Sequence, residues 1–127
     1  MALEFLSSPQ LPQAVGAYSC GTKYGNTIIT SGQIAVDEQS GLVVTDITVA
    51  TATVLQNLLH VVEAGGGRLD TIARVDIYLK DLKDFEDFDK AYAAFFGDHK
   101  PARVTVQAGN LAEGATIEAA AIAFVAE

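Results

Sequence analysis

The chain has little of what builds a metal centre, a disulfide framework or a nucleic-acid surface. Its one cysteine, Cys20, excludes an internal disulfide and a cysteine-based zinc site. Its two histidines, His60 and His99, stand far apart without ligand spacing, so no metal is expected. His60 reads as a structural residue on a helix face, and His99 as a solvated loop residue. Only 8 lysines and arginines face 16 aspartates and glutamates, for a net charge of −8. An acidic surface repels phosphate backbones, and the cations form no dense cluster, which disfavours nucleic-acid partners. No apolar run is expected to be long enough to cross a bilayer. The start, Met1 to Leu6, lacks a basic region followed by a long apolar one. These absences lead us to expect a soluble cytoplasmic protein with no membrane partner.

What is present is a core. Half of the 127 residues are hydrophobic and the mean hydropathy is +0.26, which excludes disorder and suits one domain over residues 1–127. Residues 3–7 read as a first strand, followed by a loop punctuated by Pro9 and Pro12. Ala17–Gly21 and Thr27–Ser31 read as a hairpin around Tyr24-Gly25-Asn26. The glycine of Ser31-Gly32-Gln33 suggests a bulge or a close backbone approach.

Ile47, Ala50, Thr51, Val54, Leu58, Val61 and Val62 recur at helical spacing, with Thr45 or Asp46 as cap and Gly65-Gly66-Gly67 as stop. The triple glycine lacks a preceding strand and a following Gly-Lys-Ser/Thr, so it reads as a terminator rather than a phosphate loop. Ile72–Leu79 alternates as a strand. A second helix places Phe85, Phe88, Tyr92, Phe95 and Phe96 along one side, with Asp84 as cap and Gly97 as stop. Its acidic residues Glu86, Asp87 and Asp89 read as the wet face. The order implies an α+β domain in which two helices cover one face of a mixed sheet.

The closing segments carry the chemistry. In Pro101–Gln107, Arg103, Thr105 and Gln107 share one face of a strand. In Ala115–Ala123, Glu118 is the only charge in an apolar run. A strand pair joined by the loop 109–114 would gather Arg103, Thr105 and Glu118 around one pocket. That pocket would hold a small anion and move a proton beside it. An ion pair on a half-exposed strand face fits the same residues. Apolar residues fall on both parities of the last strand, so the uncovered sheet face is expected to meet another subunit.

Several segments then combine. Gly16-Ala17-Tyr18-Ser19, Ile29-Thr30-Ser31-Gly32-Gln33-Ile34, Tyr78-Leu79-Lys80-Asp81-Leu82, Tyr92-x-x-Phe95-Phe96, Pro101-Ala102-Arg103 and Ile117-Glu118-Ala119-x-Ala121-Ile122-Ala123 stand in order from about residue 9 to the end. Together they resemble the reactive-intermediate imine deaminases, the RidA or YjgF-like family. The resemblance implies a chorismate-mutase-like fold and a homotrimer with sites at the subunit interfaces. It also implies cofactor-free hydrolysis of 2-imino and 2-enamino acids, such as 2-aminoacrylate, to 2-keto acids and ammonia.

By the same resemblance, Arg103 grips the substrate carboxylate, Glu118 positions or activates water, and Tyr18 belongs to the pocket. Ser31 and Gly32 lie beside the bound carboxylate. Three departures mark a divergent subgroup. Thr105 stands where a reactive cysteine is usual, and Asp89 where a pocket asparagine is usual. The link His99-Lys100 is short, and Ala112 replaces a proline. Thr105 and Asp89 leave open a small-carboxylate sensor that uses the pocket without turnover. Ribonuclease action, also attributed to relatives, is disfavoured by the acidic charge. Cys20 reads as a packing residue, not a nucleophile.

Overall fold

The computed structural model describes residues 2–127. Its strands are β1 (Glu4–Leu6), β2 (Gly21–Tyr24), β3 (Thr27–Thr30), β4 (Gln33–Ile34), β5 (Ile72–Leu79), β6 (Ala102–Gln107) and β7 (Ile117–Phe124). Its helices are α1 (Ile47–Ala64) and α2 (Phe85–Phe96). The sheet runs β1-β2-β3-β7-β5-β6, with β4 also on β7. β5 and β6 are parallel and every other pair is antiparallel. Two helices on one mixed sheet is the α+β layering the sequence implies.

Two placements differ from the expectation. The first hairpin strand is Gly21–Tyr24, not Ala17–Gly21, because a two-residue Gly25-Asn26 turn with Gly25 at φ 60 sets the register Tyr24↔Thr27. Ala17–Cys20 is irregular. The closing segments do not form a hairpin either. β5 lies between β6 and β7, because the β5–α2–β6 crossover takes the parallel edge and leaves β7 the centre of the sheet.

β7 alternates strictly. Ile117, Ala119, Ala121 and Ala123 are buried under the helices with Val75, Ile77 and Leu79 of β5. α1 supplies Ala50, Val54, Leu55, Leu58, Val61 and Val62 to the same layer. The carboxylate of Asp46 accepts from the Val49 N–H at 3.1 Å and caps this helix. Asp84 holds the N-cap position of α2 without a side-chain bond, and Gly97, at φ 63, ends that helix. Contrary to expectation, the 18 residues of α1 (mean hydropathy 1.2) are long and apolar enough to pass as a membrane span. Its apolar face packs in the core, which accounts for that composition.

β3 and β4 are one strand interrupted once. Ile29 pairs with Ile122 and Gln33 with Ala119, so four steps on one side match three on the other. The extra residue makes a bulge at 30–32, where a glycine was expected to signal one. The buried Thr30 hydroxyl accepts from the Ala121 N–H at 2.9 Å and replaces the interrupted ladder bond. From α1, the buried Asn57 amide donates to the Val36 carbonyl at 3.0 Å and the Ile34 carbonyl at 3.4 Å, tying the bulged strand to the helix. Asn57→Ala removes the partner of the Val36 carbonyl, whereas the Ile34 carbonyl keeps the Val36 N–H at 2.8 Å, and should cost about 1–3 kcal/mol of unfolding free energy, read by urea denaturation.

Candidate active site

Across the sheet, neighbouring residues in register share a face. Val75↔Arg103, Ile77↔Thr105 and Leu79↔Gln107 lie on the helix side, whereas Tyr78↔Glu118 lies on the open side. Arg103 and Glu118 therefore stand two strands apart on opposite faces. The single pocket expected of Arg103, Thr105 and Glu118 does not form within one chain. The insertion of β5 is the reason.

Arg103 is held by α2. Its guanidinium carbon lies 4.7 Å from the Tyr92 ring centroid, 5.2 Å from Phe88 and 5.6 Å from Phe85. Nη1 donates to Asp89 Oδ1 at 2.8 Å. Asp89 is thus an ion-pair partner rather than simply a residue of the wet face. Arg103 is 23% exposed and Asp89 50%, so the pair adds little stability. Its main effect is to orient the guanidinium. Nε and Nη2 make no hydrogen bond among the described residues. The aromatic stripe read as core packing also forms this cage.

A cleft of about 390 Å³ opens here, lined by Asp89, Tyr92, Phe96, His99, Lys100 and Arg103. Two buried hydroxyls on this side, Tyr92 Oη and Thr105 Oγ1, have no hydrogen-bond partner. Burial pushes the Tyr92 phenol up to about 12, with the Arg103 charge opposing and the Asp89 charge adding. His99 is not a free loop residue, since its Nε2 lies 2.7 Å from the Ile72 carbonyl. The break between α2 and β6 brings it back onto the first residue of β5.

The second cleft, about 450 Å³, lies around Tyr18, Cys20, Gly32, Ile34, Glu113 and Glu118. It shares no lining residue with the first. The bulge sets its floor. A Cβ on Gly32 would collide with the Glu118 carboxylate, so only glycine lets the backbone approach that group. The Ser31 hydroxyl donates to the Ser19 carbonyl at 2.5 Å, and the Ser31 N–H donates to the Cys20 carbonyl at 2.8 Å. These bonds fasten the irregular segment that carries the exposed Tyr18. Ser31 therefore positions this wall of the cleft. Cys20 Sγ lies 3.2 Å from the Leu6 carbonyl, and burial pushes its thiol up, against a thiolate role. Glu113, at φ 55, is a non-glycine residue in the left-handed region beside the cleft, a feature with no signal in the residue pattern.

His60, on α1, faces Glu38 at 3.1 Å and serves structure, as expected. Among the described residues no three His, Cys, Asp or Glu gather as a metal site.

This fold has counterparts. Residues 8–125 match the family model described as Endoribonuclease L-PSP. The chain belongs to this family, the RidA/YjgF family, and has its chorismate-mutase-like α+β fold. A RutC family protein of Pyrococcus abyssi is 38% identical over 98% of both chains. The 2-iminobutanoate/2-iminopropanoate deaminase of Escherichia coli is 37% identical over 93% of this chain and 94% of its own. The crystal structure of the E. coli YjgF gene product superposes with a TM-score of 0.91 at 36% identity, over 95% of this chain and 98% of that one.

Two outcomes test this geometry. Gly32→Ala should displace the Glu118 carboxylate, visible in its side-chain NMR shifts. It should change stability by less than about 1 kcal/mol, because only the flexible end of Glu118 must move. Tyr92 keeps its proton in the folded state above the ordinary 10.0, so stability should fall as pH rises from 10.0 to about 12. Denaturation across that range should show a shallower loss in Tyr92→Phe than in the parent chain.

Proposed function

We propose that this protein hydrolyses 2-imino and 2-enamino acids, such as 2-aminoacrylate, to 2-keto acids and ammonia without a cofactor. The observation that carries the reading is the oriented Arg103 guanidinium, with Nε and Nη2 unpaired among the described residues. A fork of that kind suits a carboxylate bound by two parallel hydrogen bonds. Family membership with named imine deaminases supports the same conclusion.

In this reading Arg103 fixes the substrate carboxylate and Glu118 accepts a proton from water as its oxygen bonds to the C=N carbon. The imine nitrogen takes a proton, the resulting carbinolamine loses ammonia as its C–N bond breaks, and the C–O bond becomes the keto carbonyl. For an enamine, a proton first moves from nitrogen to the β-carbon. Imines hydrolyse unaided, so orientation supplies much of the acceleration needed. Thr105 and Tyr18 offer hydroxyls to polar atoms of the substrate, and Gly32 leaves room beside Glu118. Asp89 keeps Arg103 in place, and Ser31 holds the Tyr18 segment.

Because Arg103 and Glu118 face opposite ways, the complete site is proposed to form between copies of the chain, as a homotrimer. Exposed Ile29, Val104, Val106, Ile122 and Phe124 on the open sheet face support burial against another copy. An RNA substrate, suggested by the family description, is opposed by the net charge of −8.

The test uses 2-aminoacrylate generated by a serine dehydratase and trapped competitively by semicarbazide. The parent chain should divert imine to keto acid. Arg103→Ala should raise KM and lower kcat/KM, and Glu118→Gln should lower kcat by about 10²–10⁴-fold. Binding of keto acids without turnover of any imine would instead establish a small-carboxylate sensor.

A further inference from the structure

The Arg103 cleft holds more charge than a simple carboxylate clamp needs. Asp89 and Arg103 line the same cleft, joined at 2.8 Å, and Asp89 is half exposed to whatever enters. Lys100 also lines it and makes no ion pair. His99 lines it too, but its Nε2 is engaged by the Ile72 carbonyl. Arg103 and Lys100 against the Asp89 carboxylate leave a formal charge of +1 among these three groups. Three aromatic rings around the guanidinium give it cation–π contacts beside Asp89. Tyr92 also lines the cleft, and its hydroxyl is buried without a hydrogen-bond partner.

We propose that Asp89 determines specificity: it matches the Arg103 cleft to ligands with one carboxylate and rejects those with two. The proposal rests on the reading of Arg103 as a carboxylate clamp. A single carboxylate meets the unpaired Nε and Nη2 and balances the cleft charge. A second carboxylate within reach of Arg103 approaches Asp89 as well and is repelled. At separations of roughly 5–7 Å in a half-exposed cleft, one such charge alters binding by on the order of tenfold. Asp89 acts here through its charge, beyond its role in orienting Arg103. Asn is isosteric and still accepts a hydrogen bond from Nη1, so Asp89→Asn separates the two roles.

The experiment is calorimetric titration of the full chain, Asp89→Asn and Asp89→Ser with 2-oxobutanoate and 2-oxoglutarate at matched ionic strength. Melting curves check folding, and Asp89 is exposed enough that both variants should fold. The parent chain should bind 2-oxobutanoate at least several-fold more tightly than 2-oxoglutarate. Both variants should improve 2-oxoglutarate binding by on the order of tenfold more than 2-oxobutanoate binding. An unchanged ratio in Asp89→Asn, equal affinities in the parent chain, or no binding of either acid to any form would overturn the proposal. Turnover of 2-aminoacrylate with an unchanged ratio sinks the charge filter alone. A shifted ratio without turnover sinks the deaminase reading and keeps the filter.

Discussion

Side-chain alternation across a sheet with β7 at its centre and β5 between β7 and β6 is the constraint on which the rest depends. Each residue of β7 must face either the helices or the open side, and its partners in register face the same way. Burying Ile117, Ala119, Ala121 and Ala123 under α1 therefore commits Glu118, Ala120, Ile122 and Phe124 to the uncovered face. The same rule, carried through Val75, commits Arg103 to the helix side. Packing of the core thus decides where the two groups of the proposed chemistry stand. A slip of one residue in β7 would bury Glu118 among aliphatic side chains, at a cost no local contact offsets.

Each cleft is then built by a different device. On the helix side, α2 offers an aromatic surface that holds a guanidinium by its faces, while Asp89 fixes one end of the fork. On the open side, a one-residue bulge lets the Gly32 backbone approach a carboxylate, and Ser31 ties the Tyr18 segment over it. Thr30 takes up the Ala121 N–H opposite the bulge and Asn57 ties the chain just beyond it to α1, so the irregularity is held rather than tolerated. Neither cleft alone contains both a carboxylate clamp and a group to activate water. The open apolar face offers a physical reason for copies of the chain to meet and bring the two kinds of cleft together.

Much of this was legible from residue patterns. Period-two alternation located β5 and β7, period-3.6 spacing located α1 and α2, and Gly32 marked the bulge. The first hairpin strand is ambiguous in the pattern because Ala17–Gly21 and Gly21–Tyr24 are equally strand-like, and only the Gly25-Asn26 turn decides between them. The closing strands differ more from the pattern. Sequence adjacency favours pairing of neighbouring strands, and nothing local in Pro101–Gln107 reveals that a parallel crossover has already claimed its partner. Asp89 looked solvated because helical periodicity reports which side a residue lies on, not that an arginine on a distant strand reaches it. Tyr92 was hidden for the opposite reason, since an aromatic stripe reads as core even where one face of it cages a cation.

The most direct test of a site shared between copies is complementation. Arg103→Ala and Glu118→Gln chains, each inactive alone on 2-aminoacrylate, are unfolded together in equal amounts and refolded. If Arg103 of one copy works with Glu118 of another, random assembly restores intact sites at about a quarter of all interfaces, with activity near that fraction of the parent chain's. Mixed assemblies that form yet show no recovery would contradict the shared site and return both groups to separate roles.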